Sequence, residues 1–228
     1  MTVALITPPQ SNLIEHIAWI ARISNPENRH NEETSERLVR YLIKHKHWSP
    51  FEMVSLCLEI KTTRDIGRQI LRHRSFSFQE FSQRYAAVED TVPVYREARL
   101  QDAKNRQSSV RAPDGILHTQ WKNKQEAALL TAKNSYNWAL KNGIAKEQAR
   151  VVLPEGITPT TMLMAGTLRS WMHYIQLRTE AGTQKEHRDI ANACADAIEP
   201  AFPMIREFVQ GKSIKAPGEA KMFAGRNK

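Results

Sequence analysis

The sequence predicts an α+β protein, folded as one predominantly helical domain. Three observations carry that expectation. Long stretches place apolar residues at helical spacing, notably 11–24, 34–47, 64–74, 116–142, 167–178 and 184–209. One stretch, FEMVSLCLEIKTT at 51–63, alternates as a strand does. The length of 228 residues, 41% hydrophobic and 25% charged, suits one core. The domain is expected to occupy 1–210, followed by a flexible basic tail at 211–228.

Each element has its own signal. SNLIEHIAWIARIS (11–24) sets Leu13, Ile14, Ile17, Ala18 and Ala21 at helical spacing behind a serine that can cap, and NPENRHNEE then reads as a loop. TSERLVRYLIKHKH (34–47) puts Leu38, Tyr41 and Leu42 on one face and stops before Ser49-Pro50. In 51–63, Val54, Leu56, Leu58 and Ile60 form one apolar face against Met53, Ser55, Cys57 and Glu59. RDIGRQILRHR (64–74) returns to helical period. Residues 88–114 are charged and aperiodic, and read as a long excursion with one short helix, a length that is usually functional or disordered. The helix at 116–142 ends on Asn142-Gly143, and AKEQARVVLP (145–154) is a short helix ended before Pro154. TTMLMAG (160–166) reads as a strand, 167–178 as a helix, and 184–209 as a helix interrupted near Pro200.

Charge and composition narrow the function. A net charge of +9 favours anionic partners, from nucleotides and phosphorylated cofactors to nucleic acid. Two cysteines, Cys57 and Cys194, are too few for a disulfide scaffold and fit a reducing cytoplasm. The start lacks a signal-peptide pattern and no run reaches the roughly 20 apolar residues of a membrane span, so a soluble cytoplasmic protein is expected. The nine glycines form neither a dinucleotide fingerprint nor a P-loop. His45 and His47 diverge on a helix, so no metal site is expected. Any phosphate must therefore be met by side chains.

The segment RHRSFSFQEFSQRY (72–85) carries charges and aromatics on both faces of an extended reading. Phe76, Phe78, Glu80, Ser82 and Arg84 share one side. Upstream, Arg64, Arg68 and Arg72 stand at i, i+4 and i+8, a spacing that sets like charges against each other. Solvation accounts well for Arg64 and Arg68. At Arg72, His73 and Arg74 an anionic ligand is the better account, because the planar guanidinium fork matches phosphate and carboxylate. Glu80, Ser82 and Arg84 would then face that ligand as acceptor, hydroxyl and second fork.

Arg72-His73-Arg74 followed by seven residues and Ser82 resembles the signature of the flavin-dependent thymidylate synthases. HWSPFE (47–52), ARVVLP (149–154), LRSWMHYIQLR (168–178) and Gln184-x-Glu186 are similar to that family too, in the same order over roughly residues 13 to 200. Gln79, Thr167 and His173 depart from it, standing where the family often has asparagine. The resemblance implies helices around a mixed β-sheet, a homotetramer with active sites shared between subunits, and conversion of dUMP to dTMP. It further implies methylenetetrahydrofolate as carbon donor and FAD, reduced by NADPH, as hydride carrier. Carried over by position, it implies that His47, Ser49, Glu52, Arg72, His73, Arg74, Glu80, Arg169 and His173 contact the flavin. Gln69, Arg72, Glu80, Ser82, Gln83, Arg84, Arg150 and Arg178 would hold the nucleotide, with Arg178 against the uracil as the catalytic polarising group.

Such chemistry needs electron density on uracil C5. Cys57 in a strand and Cys194 in an alanine-rich helix read as packing. Ser82 is the other catalytic candidate, but a serine nucleophile needs an adjacent base and the sequence places none, so the reading preferred is a hydrogen-bond donor. Trp171 and Tyr174 read as core. The competing class is a basic helical nucleic-acid-binding protein. The spread of cations along the whole chain argues against it.

Overall fold

A computed structural model describes residues 1–7, 12–88, 92–113 and 115–210. The expected basic tail at 211–228 lies outside the described residues. A four-stranded sheet in the order β1-β2-β6-β3 forms the centre, from β1 (Thr2–Leu5), β2 (Ser55–Thr63), β3 (Ser77–Glu80) and β6 (Pro159–Thr167). The α+β, helix-flanked architecture matches the sequence reading. The strand pairings are all antiparallel, however, rather than mixed.

The β2–β6 pair is the spine, in register from Ser55 opposite Thr167 to Thr63 opposite Pro159. Leu56, Leu58 and Ile60 of β2 and Met162 and Met164 of β6 are buried, so strand alternation gives the pair one sealed face. Each strand passes directly into a helix. β2 runs into α4 (Arg64–Ile70), whose first amide bonds the Thr158 carbonyl at 3.1 Å. β6 runs into α7 (Leu168–Arg178), where the Leu168 amide bonds the Val54 carbonyl at 2.8 Å. Thr167 caps α7 by accepting from the Ser170 amide, leaving one fewer orphan N–H at that terminus. Because the strands are antiparallel, the two helices start at opposite ends of the spine and run toward one another. Their C-terminal ends meet.

Around this frame lie α1 (Leu13–Ala21), α2 (Ser35–Lys44), the single turn α3 (Ser49–Glu52), α5 (Gly115–Lys141), the short α6 (Lys146–Ala149) and α8 (Lys185–Ile198). Ala191, Cys194 and Ala195 are fully buried on α8, where small side chains let the helix approach the core closely. No helix among the described residues is long and apolar enough to cross a membrane.

Several boundaries differ from the sequence reading. The TVAL segment pairs as edge strand β1 opposite Leu58–Lys61, too short to stand out as a pattern. SPFE forms its own helical turn, so β2 begins at Ser55 rather than 51. Among its described residues the 88–114 excursion holds a hairpin, β4 (Arg99–Gln101) with β5 (Ser109–Arg111), and no helix. Arg96 fastens its base to Asp65 on α4 at 2.9 Å, and Arg99 fastens it to Glu186 on α8 at 2.7 Å. The break at Pro200 occurs as read, and a 3-10 turn follows at Pro203–Phe208. The helix end at Asn142-Gly143 also holds: Gly143 adopts φ 77°, a conformation that glycine reaches without steric cost.

Candidate active site

The meeting of α4 and α7 puts Arg178 Nε 2.8 Å from His73 Nε2. The guanidinium donates, so this imidazole nitrogen must carry a lone pair. Burial first, then the charge of Arg178 and the proximity of His173, hold His73 down at about 4, so the lone pair is present at neutral pH. No protein group among the described residues occupies the remaining donors of the Arg178 fork. His73 stands edge-on to Tyr174 with centroids 4.9 Å apart, and Phe76 packs edge-on to Trp171 at 4.8 Å. Trp171 and Tyr174 are core, as read. Phe76 thereby anchors the turn that carries Arg72, His73 and Arg74. The latter two arginines' neighbours differ from His73: Arg72 and Arg74 point outward, exposed, and make no ion pair among the described residues.

Beside that turn lies a pocket of about 670 Å³, floored by Trp48, Met172 and Phe208 and rimmed by Glu52, Ser75, Thr167, Arg169, Ser170, His173 and Gln176. Arg169 and Glu52 form an ion pair across it. Three expected flavin residues, Glu52, Arg169 and His173, therefore share one cavity. Arg169 and His173 fall on one face of α7 by i, i+4 spacing. His47 and Ser49 are exposed and are not among its lining residues, whereas Trp48 between them is.

The first two rungs of the arginine ladder, Arg64 and Arg68, resolve without a ligand. Arg64 is buried, with Nη1 3.3 Å from Glu80 Oε1, a charge contact lacking hydrogen-bond alignment. Arg68 reaches Glu155 at 3.1 Å, and Thr160 donates to Glu80 at 2.8 Å. Glu80 thus turns inward to neutralise α4. The burial of Arg64 corrects the solvation reading of that residue. The extended reading of 72–85 also needs correction: β3 covers only Ser77–Glu80, and a turn carries Ser82 to Tyr85. Ser82, Arg84 and Glu80 do not form one strand face. Arg84 instead meets Glu147 at 3.2 Å, and Arg150 Nε donates to the Glu147 carbonyl at 3.3 Å, so α6 gathers these two arginines. Gln83 is buried, and its amide nitrogen has no hydrogen-bond partner.

A group that the sequence did not reveal sits behind His73. His187 is fully buried, its Nε2 3.1 Å from the Tyr174 hydroxyl and its Nδ1 3.2 Å from Gln69 Oε1. Gln69 donates to Gln184 at 2.8 Å and Gln184 to Glu186 at 3.0 Å. Burial pushes the Glu186 carboxyl up, but hydrogen bonds from Arg99, Gln184 and its own backbone outweigh that and hold it at about 2. Only the Gln184-x-Glu186 motif hinted at this chain. Cys194 is buried with its thiol pushed far up by desolvation, and burial also raises Cys57, so neither offers a thiolate.

An antiparallel sheet whose two central strands launch converging helices, with a histidine-held arginine at their junction and a polar pocket alongside, defines an enzyme class that meets anions with side-chain forks instead of a glycine loop. Known proteins make the class specific. A family model described as thymidylate synthase complementing protein matches residues 7–204. A probable flavin-dependent thymidylate synthase of Paramecium bursaria Chlorella virus 1 is 53% identical over 191 residues, 84% of this chain and 88% of its own. The flavin-dependent thymidylate synthase of Synechocystis sp. is 46% identical over 190 residues, 83% and 86% of the two chains. The crystal structure of the UMP/dUMP methylase PolB from Streptomyces cacaoi, bound with 5-Br dUMP, superimposes with a TM-score of 0.79 at 28% identity, covering 91% of this chain and 93% of that one. The chain belongs to the flavin-dependent thymidylate synthase family.

Proposed function

We propose that the protein methylates dUMP to dTMP, taking the carbon from methylenetetrahydrofolate and using FAD, reduced by NADPH, as the hydride carrier. The observation that carries this reading is Arg178, oriented by a neutral His73 and with its fork unclaimed by protein. Pressed against a uracil oxygen, that fork stabilises the negative charge which develops there as C5 attacks the methylene carbon. No cysteine nucleophile is required, in keeping with the raised thiols of Cys57 and Cys194.

The residues present fit a flavin. The pocket offers an apolar floor, the Glu52–Arg169 pair and His173, and the unpaired Arg72 and Arg74 supply phosphate partners alongside. His47 and Ser49 would approach from the α3 end. A bound flavin supplies the hydride that reduces the transferred carbon to a methyl group. Gln69, Ser82, Gln83, Arg84 and Arg150 hold the nucleotide, the arginines taking its phosphate, and the orphaned Gln83 amide is a donor awaiting an acceptor. Glu80 supports the site by anchoring the end of β3. Among the described residues no hydrogen bond or ion pair joins the Arg84–Glu147–Arg150 group to the Arg178 group, which favours a homotetramer whose sites combine both groups from different subunits.

The test is tritium release from 5-tritiated dUMP by purified protein. A yellow preparation that releases tritium in a folate-dependent manner is the expected result. Arg178→Ala should lower the rate by about 100-fold or more while bound flavin is retained. A colourless protein that releases none, but shifts RNA in a salt-dependent way, would return the nucleic-acid reading instead.

A further inference from the structure

The chain of contacts behind His73 has a fixed polarity. Glu186 is an ionised carboxylate and can only accept, so Gln184 must turn its amide nitrogen toward it. That leaves the Gln184 oxygen to receive the Gln69 amide at 2.8 Å, and turns the Gln69 oxygen toward His187. His187 must then carry its proton on Nδ1, and its bare Nε2 accepts from Tyr174. Reversing any one amide would set two oxygens or two N–H groups against each other in a partly buried place. Arg99 clamps the far end of the chain through both Glu186 oxygens.

We propose that His187 is a positioning residue that locks the Gln69 carboxamide, so that Gln69 meets a bound nucleotide with its donor and acceptor edges in one fixed order. This rests on the reading that Gln69 holds the nucleotide. His187 itself touches neither ligand; it acts through Gln69. Its first link donates from Nδ1, and its second, to Tyr174, holds the ring plane. A carboxamide held from both sides loses no rotational freedom when a ligand arrives, which is how preorganisation raises affinity.

The experiment measures the dUMP dissociation constant by flavin-absorbance titration of the full-length, FAD-loaded protein. Asparagine places its amide nitrogen where Nδ1 stands, so His187→Asn keeps the donor, whereas His187→Leu removes it. Expected are about tenfold weaker binding in Gln69→Ala, about five- to tenfold weaker binding in His187→Leu, and near-native binding in His187→Asn. Weak binding by Gln69→Ala with native binding by His187→Leu overturns the positioning role alone. Equal losses in His187→Leu and His187→Asn overturn it too, because volume and not the donor would then matter. Native binding by Gln69→Ala removes the nucleotide assignment of Gln69 and this inference with it. Should His187→Leu fail to fold, nitrogen-15 NMR of histidine-labelled native protein decides. Protonation of His187 on Nδ1 is expected, and the Nε2–H tautomer refutes the proposal.

Discussion

His73 and His187 lie with ring centroids 6.2 Å apart beside one guanidinium, and neither takes up a proton at its ordinary pH. Burial, then the charge of Arg178, lowers His73 to about 4 and His187 to about 3, against 6.5 for a free imidazole. Between those values and 6.5 the unfolded chain binds more protons than the folded one, so stability rises with pH across that window. The contribution is complete above about 6.5 and is lost as pH falls toward 4 and 3. Glu186, held at about 2 against 4.5, acts with the same sign lower down, its contribution vanishing as pH falls from 4.5 toward 2. Thermal midpoints should therefore hold nearly level from pH 7.5 to about 6.5 and decline from there to pH 4, and His187→Asn should flatten the upper part of that decline; a flat native profile would contradict the burial argument. Ser82 gives a second expectation at this scale. Among the described residues its hydroxyl meets only the Arg84 amide, at 3.4 Å, with no base beside it. Ser82→Ala should retain slow turnover, and intact mass spectrometry of native enzyme during turnover should find no serine adduct.

At the scale of elements, β6 and the 72–76 turn depend on one missing side chain. A Cβ added at Gly166 would stand 2.4 Å from Phe76 Cδ1, inside the ring that packs on Trp171. Gly166 sits opposite Leu56 in the spine, so β6 cannot retreat without breaking the β2 pairing. The ring must move, and with it the turn that presents His73 to Arg178 and Ser75 to the pocket. Gly166→Ala should cost about 1–3 kcal/mol, read from the denaturant midpoint, and should also release flavin. Loss of stability with full flavin retention would separate the turn from the cofactor pocket. The β4–β5 hairpin is likewise held at its base, by Arg96 and Arg99, each pairing with a carboxylate on a helix of the site. The excursion is therefore part of the site's frame.

For the whole molecule, the proposed tetramer predicts that copies meet at exposed apolar residues. Trp138 is 63% exposed, Leu130 63% and Val151 82%, all on α5 or the turn after α6. Trp138 and Val151 line a single hollow with Ile144 and Val152. A surface of this kind is rarely left open to water on a monomer. Light scattering should give four chains for the native protein. The double variant Trp138→Asp, Val151→Asp should give smaller species that have lost tritium-release activity, since in the proposed shared site Arg84 and Arg150 would no longer face a neighbour's Arg178. Full activity in a monomeric variant would sink the shared-site reading.

What the sequence by itself determined is whatever has a local period or a compact motif. Leu56, Leu58 and Ile60 announced β2, the spacing in LRSWMHYIQLR announced α7, and Arg72-His73-Arg74 with Ser82 announced the family. Only the tertiary structure decided which charges face each other. Glu80 neutralises Arg64, Arg84 turns to Glu147, and His187 reaches Gln69 across 118 positions of sequence. Periodicity records which face of an element avoids water, and that is fixed by neighbours three or four residues away. Partnership between charged groups is fixed by where distant elements come to rest, and no spacing along the chain encodes it.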